Sequence, residues 1–372
     1  MSKLINKITA VLVLAFMALM LILTVWNGIR AKKRYIVRSS SFDNSAAEEL
    51  CDGFITENFF GLDKWNKFNA DIREELGEGI INGVYIRGDM LLDASMSRSE
   101  ISNSVADEIN KFAKSYDGAV YFVAVPTSSG VYGEKLPPYL EKNSEMRKIN
   151  ALYDSLESNI RKIDACNILK THSNNYIYYR SDTKWTGYGA YCVYRTVIQK
   201  LGFTPSVYDK YTIRHMSNEF RGNLYLRTGC ENVKADIIDA YDYLGGAEVT
   251  SCIGYDTDGN EFDSSLYDKA FLDSNYIYDV YLSKDMPLLK IETSVKNERK
   301  LLVIKDSYAD CFVPFLTQHY SEITVVSLEL IKDSLGNFVN FDDYEQTLFL
   351  FGIENLGNGE YFKNLNKQMK GT

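Results

Sequence analysis

The 372-residue chain is short of histidine, which occurs three times, and none of its six cysteines forms a Cys-x-x-C pair. Cys51, Cys166, Cys192, Cys230, Cys252 and Cys311 lie far apart, which excludes zinc-ribbon and thioredoxin-like spacings. Disulfides are permitted outside the cytoplasm, yet a domain of this size does not need them. No His/Cys/Asp cluster has ligand spacing, so neither a metal nor another cofactor is expected. Positive charge is also in deficit. A formal net charge of −9 leaves no basic surplus for a nucleic-acid partner. Internal repeats and low-complexity tracts are missing as well.

What is present is an ordinary globular composition, 45% hydrophobic and 24% charged, with ample material for a core. The 27 tyrosines and 19 phenylalanines could stack on sugars or fill a core. Ile8 to Trp26 runs without a charge for about the length that spans a bilayer as a helix. A signal peptide would have a shorter apolar region ending in small residues. The following NGIRAKKR offers no such cleavage site, which favours an uncleaved anchor. Lys3 and Lys7 precede the span, while Arg30, Lys32, Lys33, Arg34 and Arg38 follow it. Taken alone, that charge bias would keep the main domain in the cytoplasm.

Beyond the anchor, SAAEELCDGFITENFF and DKWNKFNADIREELG have helical spacing, and NGVYIRGDMLL reads as a hairpin. An amphipathic helix is predicted over Glu100–Tyr116, with Ser97 and Ser99 as candidate caps. Ala119–Pro126 (AVYFVAVP) is nearly all apolar, as expected of a buried parallel strand. A second helix is predicted over Ser144–Asp164. Tyr176–Arg180 reads as a strand leading into the helix GYGAYCVYRTVIQKLG, closed by Gly202. KLLVIKD, a helix from Ser307, SEITVVSL and QTLFLFGI continue the alternation, and residues 245–265 read as a polar loop. Strands alternating with helices imply βαβ units and a doubly wound, mainly parallel α/β sheet. The expected division is 1–34 for the tail and transmembrane anchor, 35–43 for a linker, and 44–372 for the α/β domain.

Two stretches could carry chemistry. In LLVIKDSYADCFVPFLTQHY, Ser307 falls where a buried strand turns into a helix, and ligands of open α/β sheets bind beyond the carboxyl ends of the strands. Backbone N–H groups at such a turn can stabilise an oxyanion. Equally, Asp306 or Ser307 could simply cap the helix. In YYRSDTKWTGYGAY, Asp182 and Lys184 are two apart and can face the same way, with Trp185 beneath them and Thr186 capping the next helix. An acid followed by a base can orient and activate a serine. The same pair also reads as an ion pair at a helix start, since a neighbouring carboxylate stabilises the charged ammonium.

Together these stretches resemble the DHHW proteins, a family similar to SGNH hydrolases and to alginate O-acetyltransferase-type domains. The resemblance runs through ITENFFGLDKW, INGVYIRGDMLL, VYFVAVPTSSGVYGEKLP, YYRSDTKWTGYGAY, FRGNLYLRTG, LLVIKDSYADCFVPFLTQHY and TLFLFGIENL, in the family order. It implies an SGNH-like fold outside the cytoplasmic membrane, behind an N-terminal anchor in the bilayer. By the same resemblance Ser307 is the nucleophile and Asp182 the orienting acid, with Trp185, Asp306 and Tyr308 in the substrate site. Cell-envelope polysaccharide is the implied substrate, and a multi-helix membrane acyltransferase the implied partner. The chain departs from the pattern at the proton acceptor, because the DHHW signature reads DTKW here and Lys184 stands at the histidine. Leu62 likewise stands where the family usually has arginine. Two functions therefore remain open: an O-acyltransferase or esterase, with Lys184 as base only if burial lowers its pKa, and a degenerate domain that binds glycan or scaffolds a membrane partner. His172, His215 and His319 could reach the site only through tertiary contacts. His319, about three turns along the predicted helix from Ser307, is too distant on that helix.

Overall fold

The computed structural model describes residues 2–31, 79–95, 100–137, 139–140, 144–274, 276–283, 286–331 and 334–365, with isolated positions between 54 and 68. Leu62, Ser97, Ser99 and most of the two helical stretches expected before residue 79 lie outside these residues. The N-terminal apolar run belongs to one helix, Ser2–Ala31. Its Thr9–Arg30 stretch is long and apolar enough to cross a membrane and is largely unburied.

The expected hairpin is a small antiparallel sheet of β1 (Ile80–Ile81), β2 (Val84–Arg87) and β3 (Met90–Asp93). Asn82 and Gly83 form the β1–β2 turn, both with positive φ, as a tight hairpin requires. The strands β4 (Ala119–Val125) and β5 (Arg161–Ile163) come next. A separate antiparallel ribbon follows, made of β6 (Tyr211–Phe220) and β7 (Asp236–Tyr243). Then come β8 (Val249–Tyr255), β9 (Glu261–Asp263), β10 (Leu288–Thr293), β11 (Lys300–Lys305), β12 (Glu322–Ser327) and β13 (Gln346–Gly352).

Eight of these strands form the main sheet, in the order β5-β4-β13-β11-β12-β10-β8-β9. Pairing is parallel from β5 to β12 and antiparallel from β12 to β9. Alternate residues of the central strands feed two cores, as the two-residue strand period demands. Tyr121, Val123, Leu301, Val303, Leu348 and Leu350 face one core, which also holds Ala190, Val193 and Val197 of the helix Gly187–Lys200. Val120, Phe122, Leu302, Ile304, Phe349 and Phe351 face the other, under Val105, Ile109 and Phe112 of the helix Asn103–Ser115. Burial on both faces explains why these strands read as unbroken apolar runs. The α/β class and mainly parallel sheet are as expected.

Several local expectations change. The helix predicted over Ser144–Asp164 ends at Ser155, and Arg161–Ile163 becomes β5. Asn110 turns the chain there, donating to the Ser155 carbonyl and accepting from the Glu157 N–H. Residues 245–265 are no loop: they contain β8 and β9 at the antiparallel edge. Tyr176–Arg180 makes only a single bridge, between Tyr178 and Trp185. The helix expected from Ser307 is replaced by two 3₁₀ turns, Ser307–Ala309 and Val313–Gln318. Tyr308 to Thr317 is buried throughout; the Trp185 indole takes the Tyr308 carbonyl, and Pro314 has no N–H to continue an α-helical ladder.

Candidate active site

Two turns meet beyond the carboxyl ends of β11 and β13. The first begins at Asp306, which is buried and carries the capping role expected of this position. Its Oδ1 accepts the Tyr308 N–H at 2.9 Å, while Oδ2 accepts Gly352 N–H at 2.7 Å and Asn355 Nδ2 at 2.8 Å. One carboxylate thus ties the turn to the end of β13. Burial pushes Asp306 up to about 7, against the pull of those hydrogen bonds.

With Asp306 serving as the cap, Ser307 is released from that duty. Ser307 is half-buried, and its hydroxyl makes no hydrogen bond to any described residue. Its carbonyl accepts from Tyr278 Oη at 3.2 Å. The helix-dipole assistance expected of a long helix does not apply, since the turn that follows has three residues.

The second turn, residues 180–186, is held by Asp236 from β7, which is fully buried. Asp236 accepts from the N–H groups of Arg180 and Ser181, each at 2.9 Å, and from the hydroxyls of Ser181 and Tyr176. Within the turn Asp182 Oδ1 accepts the Lys184 N–H at 3.0 Å and lies 3.4 Å from Lys184 Nζ. Asp182 Oδ2 accepts the Asn223 N–H at 2.9 Å. The neighbouring Gly222 leaves room for this contact, because a Cβ there would lie 2.2 Å from Asp182 Oδ2. The ammonium of Lys184 also sits 5.3 Å from the centre of the Tyr278 ring.

Trp185 and Tyr308 fasten the turns to each other. The Trp185 indole N–H donates to the Tyr308 carbonyl at 2.7 Å, and the Tyr308 hydroxyl donates to the Thr183 carbonyl at 3.2 Å. Trp185 has no exposed surface and stacks on Phe312. Beneath them Glu145 accepts the N–H and hydroxyl of Thr127, and Ser128 N–H donates to the Thr183 carbonyl. Burial pushes Glu145 up to about 7.

All six residues singled out from the sequence, Asp182, Lys184, Trp185, Asp306, Ser307 and Tyr308, thus lie on two directly linked turns. Sequence reasoning missed Glu354, Asn355, Asp236 and Tyr278. Thr183 Oγ1 donates to Glu354 Oε1 at 3.1 Å and lies 3.4 Å from Asp182 Oδ1. Burial raises Glu354 above the usual carboxylate range, against the opposing pull of the Lys184 charge. The only available signal was the stretch TLFLFGIENL, whose last residues reach this site.

The three histidines are engaged elsewhere. His319 closes the second 3₁₀ turn, its Nε2 is 2.6 Å from Tyr194 Oη, and burial lowers it to about 4. His215 pairs with Asp239 on the ribbon, and His172 follows the helix Ala165–Thr171. Cys192 and Cys311 are buried free thiols, as expected. Among the described residues no group of three or more His, Cys, Asp or Glu side chains is placed to hold a metal.

The chain matches the DHHW protein family over residues 61–326, most of its length. It belongs to that family. A DHHW family protein from Eubacterium siraeum DSM 15702 shares the fold with a TM-score of 0.65 and 23% identity, over 77% of this chain and 96% of that one. Bacillus cereus PatB1 with a sulfonyl adduct gives a TM-score of 0.62 and 20% identity, over 75% and 97% of the two chains. PatB1 without the adduct gives 0.61 and 20%, over 75% and 98%. Identities this low establish a common architecture, an α/β fold around a mainly parallel sheet, as expected. No curated protein matches the chain.

Proposed function

We propose that this DHHW protein is a membrane-anchored, extracytoplasmic acyl-transfer enzyme, an O-acetyltransferase or esterase of cell-envelope polysaccharide with Ser307 as nucleophile. The observation that carries the reading is the Ser307 hydroxyl: half-buried at a strand end, and without a hydrogen bond to the described residues around it. A serine kept for structure would normally use that hydroxyl, as Ser181 uses its own on Asp236. In this reading Ser307 Oγ attacks an acyl carbon and backbone N–H groups beside it hold the oxyanion. Asp182 orients the charged groups, and Trp185, Asp306 and Tyr308 shape the substrate site.

The domain faces outward behind the bilayer-spanning residues 8–26 and takes its acyl groups from a multi-helix membrane acyltransferase. Protease digestion of the domain on intact cells tests the orientation; protection would reject it. A second reading is a non-catalytic glycan-binding or scaffolding domain. It is favoured by Lys184, which stands paired with Asp182 where the family has its proton-accepting histidine.

The deciding experiment uses the full chain in detergent with an activated acetyl ester and, separately, a sulfonyl fluoride. PatB1, of the same fold, has been solved with a sulfonyl adduct. The enzyme reading expects acetyl release and a sulfonyl adduct on Ser307, both lost in Ser307→Ala. No release and no adduct, with sugar binding retained, leaves the binding reading in its place.

A further inference from the structure

The DTKW sequence removes the residue that would accept the serine proton, yet the site retains charge on both sides of Thr183. Asp182 and Lys184 form one ion pair at 3.4 Å. Glu354 joins them through the Thr183 hydroxyl at 3.1 Å, and it feels the positive charge of Lys184 more strongly than the negative charge of Asp182. Glu354 also belongs to the chain segment tied to the serine turn. It lies between Gly352 and Asn355, and both donate to Asp306, the residue before Ser307. Its charge is felt at Asp306 and Tyr308, the residues flanking Ser307.

A histidine in a serine enzyme does two things: it accepts the hydroxyl proton, and it then carries the positive charge that stabilises the developing negative charge on substrate. Resting on the acyl-transfer reading above, we infer that this chain divides the two tasks, with Glu354 as the proton acceptor and Lys184 as the fixed cation. As the Ser307 Oγ–acyl carbon bond forms, the hydroxyl proton passes to the Glu354 carboxylate, directly or through one water. When the tetrahedral intermediate collapses, the carbon–oxygen bond to the leaving group breaks and the leaving oxygen takes that proton back. An acceptor alcohol or water then attacks the acyl-serine and returns the proton to Ser307 by the same path. Lys184 keeps its proton throughout. A carboxylate raised above its ordinary range is a stronger base than a usual glutamate, which suits the acceptor role.

Asp182 and Asp93 raise Glu354, Lys184 lowers it, and its own charge is felt at Glu145, Asp306, Tyr308 and Tyr178. Rising pH converts protonated Glu354 to the basic form. The rate of Ser307 sulfonylation should therefore climb with pH through a midpoint above the ordinary carboxylate range. Lys184→Met removes the lowering charge, so the midpoint should move to higher pH and the rate should fall.

The test measures sulfonylation of Ser307 by mass spectrometry from pH 4 to 9, in the full chain with phenylmethylsulfonyl fluoride. Glu354→Gln is expected to slow labelling about 100-fold, within the range of general-base contributions, and to abolish the pH step. Glu354→Asp, which keeps a carboxylate, should retain the step at a reduced rate. In a Lys184→His background an imidazole takes both tasks, and Glu354→Gln should then cost less than about threefold. Glu354→Gln labelling at the wild-type rate, with the step intact, would overturn the assignment while leaving Ser307 as nucleophile. If the wild type never labels and never releases acetyl, the acyl-transfer reading falls and takes this assignment with it. A melting curve for each variant separates loss of the base from loss of the fold, and a Glu354→Asp protein that folds but lacks the pH step also counts against the assignment.

Discussion

The turn at Ser307 and the turn at Asp182 solve the same problem by opposite means. Each must hold irregular backbone in a dry place beyond the sheet, and each does so with an aspartate that accepts backbone N–H groups. At the first turn, the hydrogen-bond donors to Asp306 are uncharged, so burial dominates and the acid is pushed up to about 7. At the second, the carboxylate of Asp182 meets a cation as well as backbone N–H groups. The chain reads DTKW at the Asp182 turn, so against the DHHW signature it differs in the polar middle, Thr183 and Lys184. The contrast teaches that the scaffold of the turn lies largely outside residue 184: Trp185, Gly222 and Asp236 hold it through contacts that do not involve the Lys184 side chain.

The comparison breaks most severely at Trp185. Trp185→Ala should cost about 3–5 kcal/mol in denaturant unfolding, as large-to-small changes of buried aromatics do, because it also removes the bond joining the turns. A loss under 1 kcal/mol would mean the turns are held independently. Asp236→Ala should cost roughly 2–4 kcal/mol by stranding the buried N–H groups of Arg180 and Ser181. Its companion readout is Ser307 sulfonylation, which should fall with the displaced 180–186 turn.

Glu145 sharpens the electrostatic half of the contrast. Its folded-state value of about 7 exceeds the ordinary glutamate value, so the folded protein binds the extra proton and stability falls as pH rises between roughly 4.5 and 7. Asp306 contributes with the same sign. Glu145→Gln should flatten that fall, raising stability at pH 8 relative to pH 5 by roughly 1–2 kcal/mol; an unchanged slope in urea melts would reject the assignment. The smallest stability effect is expected at Ser307. Ser307→Ala should stay within about 0.5 kcal/mol of wild type, since no described partner is lost, and should differ from it only in chemistry.

Much of the fold was legible because central strands buried on both faces leave unbroken apolar runs, as in Ala119–Val125 and Gln346–Gly352. Thr186 and Gly202 marked the limits of the helix Gly187–Lys200 for equally local reasons: the Thr186 hydroxyl accepts the Gly189 N–H, and Gly202 has positive φ. Local pattern failed where distant groups intervened. Ser307–Gln318 looked helical, yet the Trp185 indole N–H, from the other turn, takes the Tyr308 carbonyl that a helical ladder would use. The strand Arg161–Ile163 was hidden because its partner, β4, lies some forty residues earlier. The six candidate site residues were legible because two short motifs carry them. Glu354 and Asp236 were not, since each reaches the site from an element with no chemical motif of its own.

The bond from the Trp185 indole to the Tyr308 carbonyl also gives the molecule a built-in optical probe. The chain has three tryptophans. Trp26 and Trp65 are about half exposed, whereas Trp185 has no exposed surface. An aqueous quencher such as acrylamide will therefore reach Trp185 least, and an aqueous ionic one will also spare Trp26 wherever the bilayer shields it. The residual emission then comes from the junction of the two turns. Its wavelength and lifetime will follow opening of the site in the unmodified protein, with no label attached.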